Sequence, residues 1–260
     1  MLSPSFKVMK PILSILMFLL FCADAEAQSP QKPMRLFLLL GQSNMAGRGS
    51  VPSNEPAFNS RIYMMNKEMN WIQAKDPVHF DKPIAGVGLC SEFARVLVKK
   101  DTNITVGLIP CAMGGSSLDE WKPGSKLYTQ AIERAREAVK SGALAGILWH
   151  QGEADSAPDK LASYGERFAA MISQLRKELS APTVPVIVGE LGRFREASRP
   201  FNDALPTVVS RVPNCALATA ENLTDKGDKL HFNTQSLHLF GQRYAAVFLA
   251  LEAKKKPPTR

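Results

Sequence analysis

Five short apolar runs, separated by longer stretches with a helical repeat, restrict what this chain can fold into more than any other feature. They are Arg35–Leu40 (RLFLLL), Ile104–Ile109 (ITVGLI), Ala145–Trp149 (AGILW), Val184–Val188 (VPVIV) and Cys215–Thr219 (CALAT). Each is apolar at consecutive positions rather than alternate ones, which is the pattern of strands covered on both faces. Between them, Ser91 is placed to cap a helix that carries Phe93, Val96 and Leu97 on one side. Leu127–Lys140 repeats Ala131, Ile132, Ala135, Ala138 and Val139, and Lys160–Leu179 repeats Leu161, Tyr164, Phe168, Met171, Ile172 and Leu175. Thr234 is placed to cap a last helix with Leu237, Phe240, Tyr244 and Phe248 inside. Alternation of this kind predicts a doubly wound α/β domain on a parallel sheet, with its site at the carboxyl ends of the strands.

Two segments fall outside the alternation. Lys7 and Lys10 precede an apolar run from Pro11 to Phe21, and Ala25-Glu26-Ala27 offers a small-x-small cleavage site. That layout predicts a secretory signal peptide over residues 1–27 and a mature domain over 28–260, secreted or periplasmic. The run is too short to span a bilayer, which takes roughly 20 residues, so no stable membrane anchor is expected. Residues 45–87 are rich in Asn, Pro, Gly and Ser without a sustained period. A stretch of that length inside a compact domain points to function, and a wall or lid over the site, bearing Arg48, Arg61, Tyr63, Trp71 and His79, is expected there.

Composition removes several classes. The formal charge is +8, but Lys and Arg are scattered and their only run is Lys254-Lys255-Lys256, so a solvated basic surface is expected and no nucleic-acid partner. Cys90, Cys111 and Cys215 follow the leader, an odd number that allows one disulfide at most. Cys111 and Cys215 lie in apolar runs, where cysteine commonly serves as a small hydrophobe.

Four segments near strand ends carry the chemistry. Gly41-Gln42-Ser43-Asn44-Met45 directly follows the first run and sets a serine at its tip. Asp228-Lys229-Leu230-His231 stands just ahead of the last helix. A serine hydroxyl needs a base to become a nucleophile, histidine titrates near working pH, and its second nitrogen needs an acid to hold tautomer and orientation. Gly114-Gly115-Ser116 can turn tightly with bare amides that suit a developing oxyanion. Trp149-His150-Gln151-Gly152-Glu153-Ala154-Asp155 adds the Gln151 amide as a further donor. Glu153 with Asp155 as a glycosidase pair, or His150 with Glu153 as metal ligands, would each need a second half that the chain does not offer, since it has four histidines in all.

GQSNM, PCAMGGSSLDEW, WHQGEAD and DKLHF, in this order, resemble the SGNH hydrolase superfamily, and within it the sialate O-acetylesterase-like branch that includes the acetylxylan esterases of carbohydrate esterase family 6. The likeness runs from about Leu36 to the last helix. It implies a three-layer α/β/α, flavodoxin-like fold on a five-stranded parallel sheet. It implies a serine esterase that removes O-acetyl groups from carbohydrate, of acetylxylan or sialic acid type, through an acetyl-serine intermediate and without metal or organic cofactor. Ser43 would be the nucleophile, His231 the base and Asp228 its partner, with Glu153 a second acid able to contact His231. The oxyanion hole would combine the Ser43 amide, the amide of Gly115 or Gly114, and Gln151. Arg61, Trp71 and Arg193 are the residues that would meet substrate: Trp71 as a sugar platform or a core residue, Arg193 against a sugar carboxylate or in solvent. Two rival readings are a carbohydrate-binding protein on the same fold without turnover and a lipase-like esterase; the intact triad speaks against the first, the polar 45–87 stretch against the second.

Overall fold

The computed structural model describes Met1, residues 33–55 and residues 58–255, so the expected leader over 1–27 lies outside the described residues. Seven strands form one sheet: β1 (Met34–Gly41), β2 (Ile62–Met65), β3 (Trp71–Gln73), β4 (Val106–Pro110), β5 (Gly142–His150), β6 (Val186–Gly189) and β7 (Cys215–Ala218). Their order is β3-β2-β4-β1-β5-β6-β7, with every pairing parallel except β2 with β3. All five apolar runs become strands within a few residues of the expected limits. The strand count is corrected from five to seven, because β2 and β3 come from the 45–87 stretch. They are four and three residues long at one edge, too short to show a period.

The sheet is covered on both faces, which explains the unbroken apolar runs. Along β1, Met34, Leu36, Leu38 and Leu40 face one side and Phe37 and Leu39 the other, as the two-residue side-chain period requires. The first side packs against α3 (Lys126–Ala138), α4 (Pro158–Glu178) and α5 (Arg199–Ser210) through Ala131, Phe168, Met171 and Phe201. The second packs against α2 (Leu89–Lys100) and α6 (Thr234–Lys255) through Phe93, Leu97, Phe240 and Phe248. Phe37, Phe93 and Phe248 meet edge to face with centroids 4.9–5.9 Å apart, the arrangement aromatic quadrupoles favour. None of the described helices is long and apolar enough to cross a membrane.

Three local expectations change. Ser91 does not cap α2, which starts at Leu89 after Gly88; Ser91 is buried in its first turn and donates to the Asp76 carboxylate at 2.7 Å. The Thr234 hydroxyl at the start of α6 donates to the Ser50 carbonyl instead. The sequence reading passed over α5, whose Pro206 interrupts the helical pattern. Cys90, Cys111 and Cys215 are all free thiols.

Candidate active site

At the carboxyl edge, β1 runs into a four-residue helix, α1 (Ser43–Ala46), and Ser43 is its first residue. The Ser43 amide therefore has no carbonyl one turn back to bond, the usual state of a helix N-terminus. Arriving from the far end of the chain, the turn before α6 brings His231 Nε2 to 3.0 Å from Ser43 Oγ. The opposite ring nitrogen, Nδ1, lies 2.7 Å from Asp228 Oδ2. Both distances are within the reach that proton transfer needs.

The histidine turn builds itself from its own acids. Asp225 Oδ2 accepts from the amides of Gly227 and Lys229, and Asp228 Oδ1 accepts from those of Leu230 and His231. These side-chain-to-backbone bonds are how aspartate shapes tight turns. Burial works against ionisation of Asp228, but the His231 amide and ring and the Leu230 amide outweigh it and pull the carboxyl down to about 2. The carboxylate facing His231 is thus charged throughout the neutral range.

Asn44, which sequence reasoning missed, holds this turn from the other side. Its Nδ2 donates to the Leu230 carbonyl at 3.1 Å, and its Oδ1 accepts from the Phe232 amide at 3.2 Å, so it grips the chain on both flanks of His231. Glu153 Oε1 accepts from the same Nδ2 at 2.6 Å. Glu153 is therefore bonded to the residue that orients the histidine turn, while Asp228 bonds the imidazole. Burial raises the Glu153 carboxyl, partly offset by Asn44. Beside it His150 is enclosed, 3.8 Å from Glu153, and burial pushes its ring down to about 3, so it is neutral. Among the described residues no group of three or more His, Cys, Asp or Glu is set to hold a metal ion.

The glycine turn after β4 distinguishes its two amides. Gly114 N–H donates to Asp81 Oδ2 at 2.9 Å, whereas Gly115 N–H has no acceptor among the described residues. Gly115 has φ of +87° with open space around its α-carbon, a conformation that disfavours a side chain. Asp81 also accepts from Arg48 Nη2 at 2.6 Å, and Arg48 Nη1 donates to the Gly47 carbonyl at 2.7 Å. A buried ion pair thus ties the end of α1 to the glycine turn. A Cβ at Gly114 would run into Arg48 Nη2 and Asp81 Oδ2. Burial opposes ionisation of Asp81, and the Arg48 guanidinium and Gly114 amide outweigh it, holding the carboxyl below the usual aspartate range.

The Gln151 side chain, expected as an oxyanion donor, is hydrogen-bonded within the fold. Its Nε2 donates to Asp155 Oδ2 at 2.6 Å and to the Ser116 carbonyl at 3.2 Å, and its Oε1 accepts from Tyr164 Oη at 2.9 Å. An amide nitrogen has two protons, and both are taken inside the fold. Gln151 and Asp155, which also accepts from the Leu118 amide, fasten the loops after β4 and β5 together.

The three expected substrate residues also have structural partners. Arg61 lies at the opposite, amino edge of the sheet and donates to the Val98, Asp101 and Ile104 carbonyls around the end of α2. The Trp71 ring lies across the sheet at Gly107 and packs against the core. Arg193 is at the correct edge, half exposed, and a two-pronged bond from its Nε and Nη2 to Glu190 (3.0 and 2.9 Å) holds its guanidinium.

A doubly wound sheet with a Ser–His–Asp relay at its carboxyl edge is the architecture of an SGNH-type hydrolase. The chain belongs to the carbohydrate esterase, sialic acid-specific acetylesterase family, whose model matches residues 33–250. A probable carbohydrate esterase of Arabidopsis thaliana is 32% identical over 253 residues, covering 86% of this chain and 94% of that protein. The X-ray structure of the Arabidopsis protein superposes with a TM-score of 0.77 at 30% identity, over 84% of this chain and 99% of that one. NanS shares the fold, with a TM-score of 0.70 at 16% identity over 86% of this chain and 98% of its own.

Proposed function

We propose that the protein hydrolyses O-acetyl esters on carbohydrates through an acetyl-serine intermediate. The observation that carries this reading is the continuous relay from Asp228 through His231 to Ser43 Oγ. Ser43 Oγ attacks the acetyl carbonyl carbon while His231 Nε2 takes its proton, and Asp228 steadies the imidazolium. The carbonyl oxygen, now negative, rests on the free amides of Ser43 and Gly115. Collapse of the tetrahedral adduct breaks the bond to the sugar oxygen, which leaves with the proton from His231. Water, deprotonated by His231, then attacks the acetyl-serine and releases acetate.

The carbohydrate esterase family and the polar, loop-built surroundings of Ser43 support a sugar ester over a lipid one. The leader over 1–27 supports export with cleavage near Ala27, checked by N-terminal sequencing of the secreted protein. The test of the reaction is acetate release from acetylated xylan and O-acetyl sialic acid alongside 4-nitrophenyl acetate and octanoate. Acetates should be preferred, Ser43→Ala should lose about 10⁶-fold in kcat, and rapid quenching should trap an acetyl group on Ser43. Full activity in Ser43→Ala would end the reading.

A further inference from the structure

The cations that the sequence scatters are gathered by the fold on the edge opposite Ser43. Each helix runs back against its strands, so α2, α3, α4 and α5 end where β4, β5, β6 and β7 begin, at the amino edge. α6 ends there too, since its Glu252 bonds Arg35 at the start of β1. α2 ends in Lys99-Lys100 and α4 carries Arg176-Lys177 in its last turn. Lys140 follows α3, Arg211 follows α5, and Lys254 lies at the end of α6. The helix dipole favours cations at such ends, but the acids beside them are engaged. Glu137 holds Lys140 at 2.6 Å, Glu178 holds Arg136 at 3.6 Å, and Glu252 holds Arg35, which leaves the exposed Asp101. Lys99, Lys100, Arg176, Lys177 and Lys254 have no ion-pair partner among the described residues.

Between the ends of α4 and α5 this edge opens into a cleft of about 670 Å³. Arg176, Lys177 and Arg211 line it with Ser173 and apolar walls that include Pro182 and Pro213, and no carboxylate of the described residues does. Arg176 is its fixed point. The residue is 6% exposed, its Nε donates to the Val184 carbonyl at 3.1 Å, and its Nη2 donates to the Val184 and Pro213 carbonyls at 2.6 and 2.8 Å. Nη1 has no hydrogen-bond partner among the described residues and stays open to solvent. A guanidinium held rigidly without an acid, with two more cations on flexible stems beside it, suits a phosphate group from outside.

The surroundings favour a lipid phosphate. The cations spread over the ends of five helices, which makes a face rather than a channel for one strand of polymer. Apolar groups stand among them: Val139, 41% exposed, adjoins Lys140, and Pro182 and Pro213 wall the cleft. Attraction to headgroups combined with shallow apolar contact is how proteins lie on a bilayer without crossing it. Docked on this face, the molecule would keep the carboxyl edge and Ser43 turned to solvent.

We infer that the amino edge docks reversibly on an anionic lipid surface, with a headgroup phosphate in the cleft at Arg176, Lys177 and Arg211 and with Lys99 and Lys100 adding attraction from the next helix end. This contact needs no membrane-spanning helix and is independent of ester hydrolysis.

The test is cosedimentation of the exported protein with vesicles of phosphatidylcholine alone or mixed with phosphatidylglycerol. The mixed vesicles should bind about tenfold or more tighter, and the binding should fall at least about tenfold between roughly 0.1 and 1 M salt. Each cation near such a surface is worth about fivefold, so Lys99→Gln with Lys100→Gln, and Lys177→Gln with Arg211→Gln, should each weaken binding by about tenfold or more. Lys122→Gln with Lys126→Gln removes the same charge at the exposed carboxyl edge and should change binding by less than about twofold. All three pairs are on the surface and should keep the wild-type Tm. Equal binding to neutral and mixed vesicles, wild-type affinity in either amino-edge pair, or equal weakening by the carboxyl-edge pair would each overturn the inference. Tighter binding to a DNA duplex than to mixed vesicles of equal charge would overturn it as well.

Discussion

Replacing Asp81 with alanine separates the geometry of the glycine turn, the proposed oxyanion site, from the stability of the fold. The Asp81 and Arg48 side chains are 0% and 1% exposed, and their closest contact is 2.6 Å. Removing the carboxylate leaves a guanidinium buried without its counter-charge, a loss of about 3–5 kcal/mol. Native domains hold only about 5–15 kcal/mol in total, so Asp81→Ala should remain folded but weakened. For a chain of this length each kcal/mol is worth about 2–4 °C, so Tm should fall by about 10 °C. The same substitution frees the Gly114 amide, and the turn that carries the proposed oxyanion donor Gly115 loses its anchor. A misplaced oxyanion donor lowers kcat by about 100-fold. KM should stay within about threefold, because the donor acts on the transition state rather than on bound substrate. The decisive variant is the double replacement Arg48→Met with Asp81→Leu. Apolar residues of similar volume commonly restore the stability of a buried pair, so Tm should recover most of its loss. The Gly114 amide would still lack an acceptor, so kcat on 4-nitrophenyl acetate should remain low. If kcat recovers together with Tm, the ion pair only stabilises the fold, and the positioning argument is refuted.

Two further outcomes follow from the same geometry. Asp228→Asn should lower kcat by about 10³- to 10⁴-fold, because the imidazole loses the charge that fixes its tautomer, whereas Glu153→Gln keeps an acceptor for Asn44 and should stay within about tenfold of wild type. The reverse ranking in steady-state kinetics would make Glu153 the acid partner of His231. Away from the site, burial, partly offset by Ser91, lifts Asp76 from an ordinary 3.8 to about 6 in a pocket shared with Glu55, Arg95 and His238. The folded state therefore holds this proton more tightly than the unfolded one, so the destabilisation is absent below about pH 4, grows as pH rises, and is complete above about pH 6. Urea unfolding should show Asp76→Asn gaining roughly 3 kcal/mol on wild type between pH 4 and pH 7, and a difference that ignores pH would contradict the assignment.

What the sequence determined by itself was whatever depends on short-range pattern. Apolar runs such as LFLLL fit strands covered on both faces, and their alternation with helical repeats fits a doubly wound parallel sheet. Such a sheet gathers strand ends, which is why Ser43 and the Asp228–His231 turn, 188 residues apart, could be paired on paper. Only the tertiary structure decided who bonds whom among polar groups that each had several plausible partners. Gln151 was named as an oxyanion donor from the sequence, and in the fold Asp155 and the Ser116 carbonyl accept from its amide nitrogen. Trp71, Arg61 and Arg193 were named as sugar contacts from the sequence; the fold gives each a structural partner, the indole at Gly107, three carbonyls around the end of α2, and Glu190. Gly114 and Gly115 look alike in the sequence, and it was Asp81, 33 positions away from Gly114, that left one amide engaged and the other free. The physical reason is the difference in range: apolar burial depends on the identity of a residue and its near neighbours, whereas a hydrogen bond is settled by competition among groups that meet only after the chain has folded.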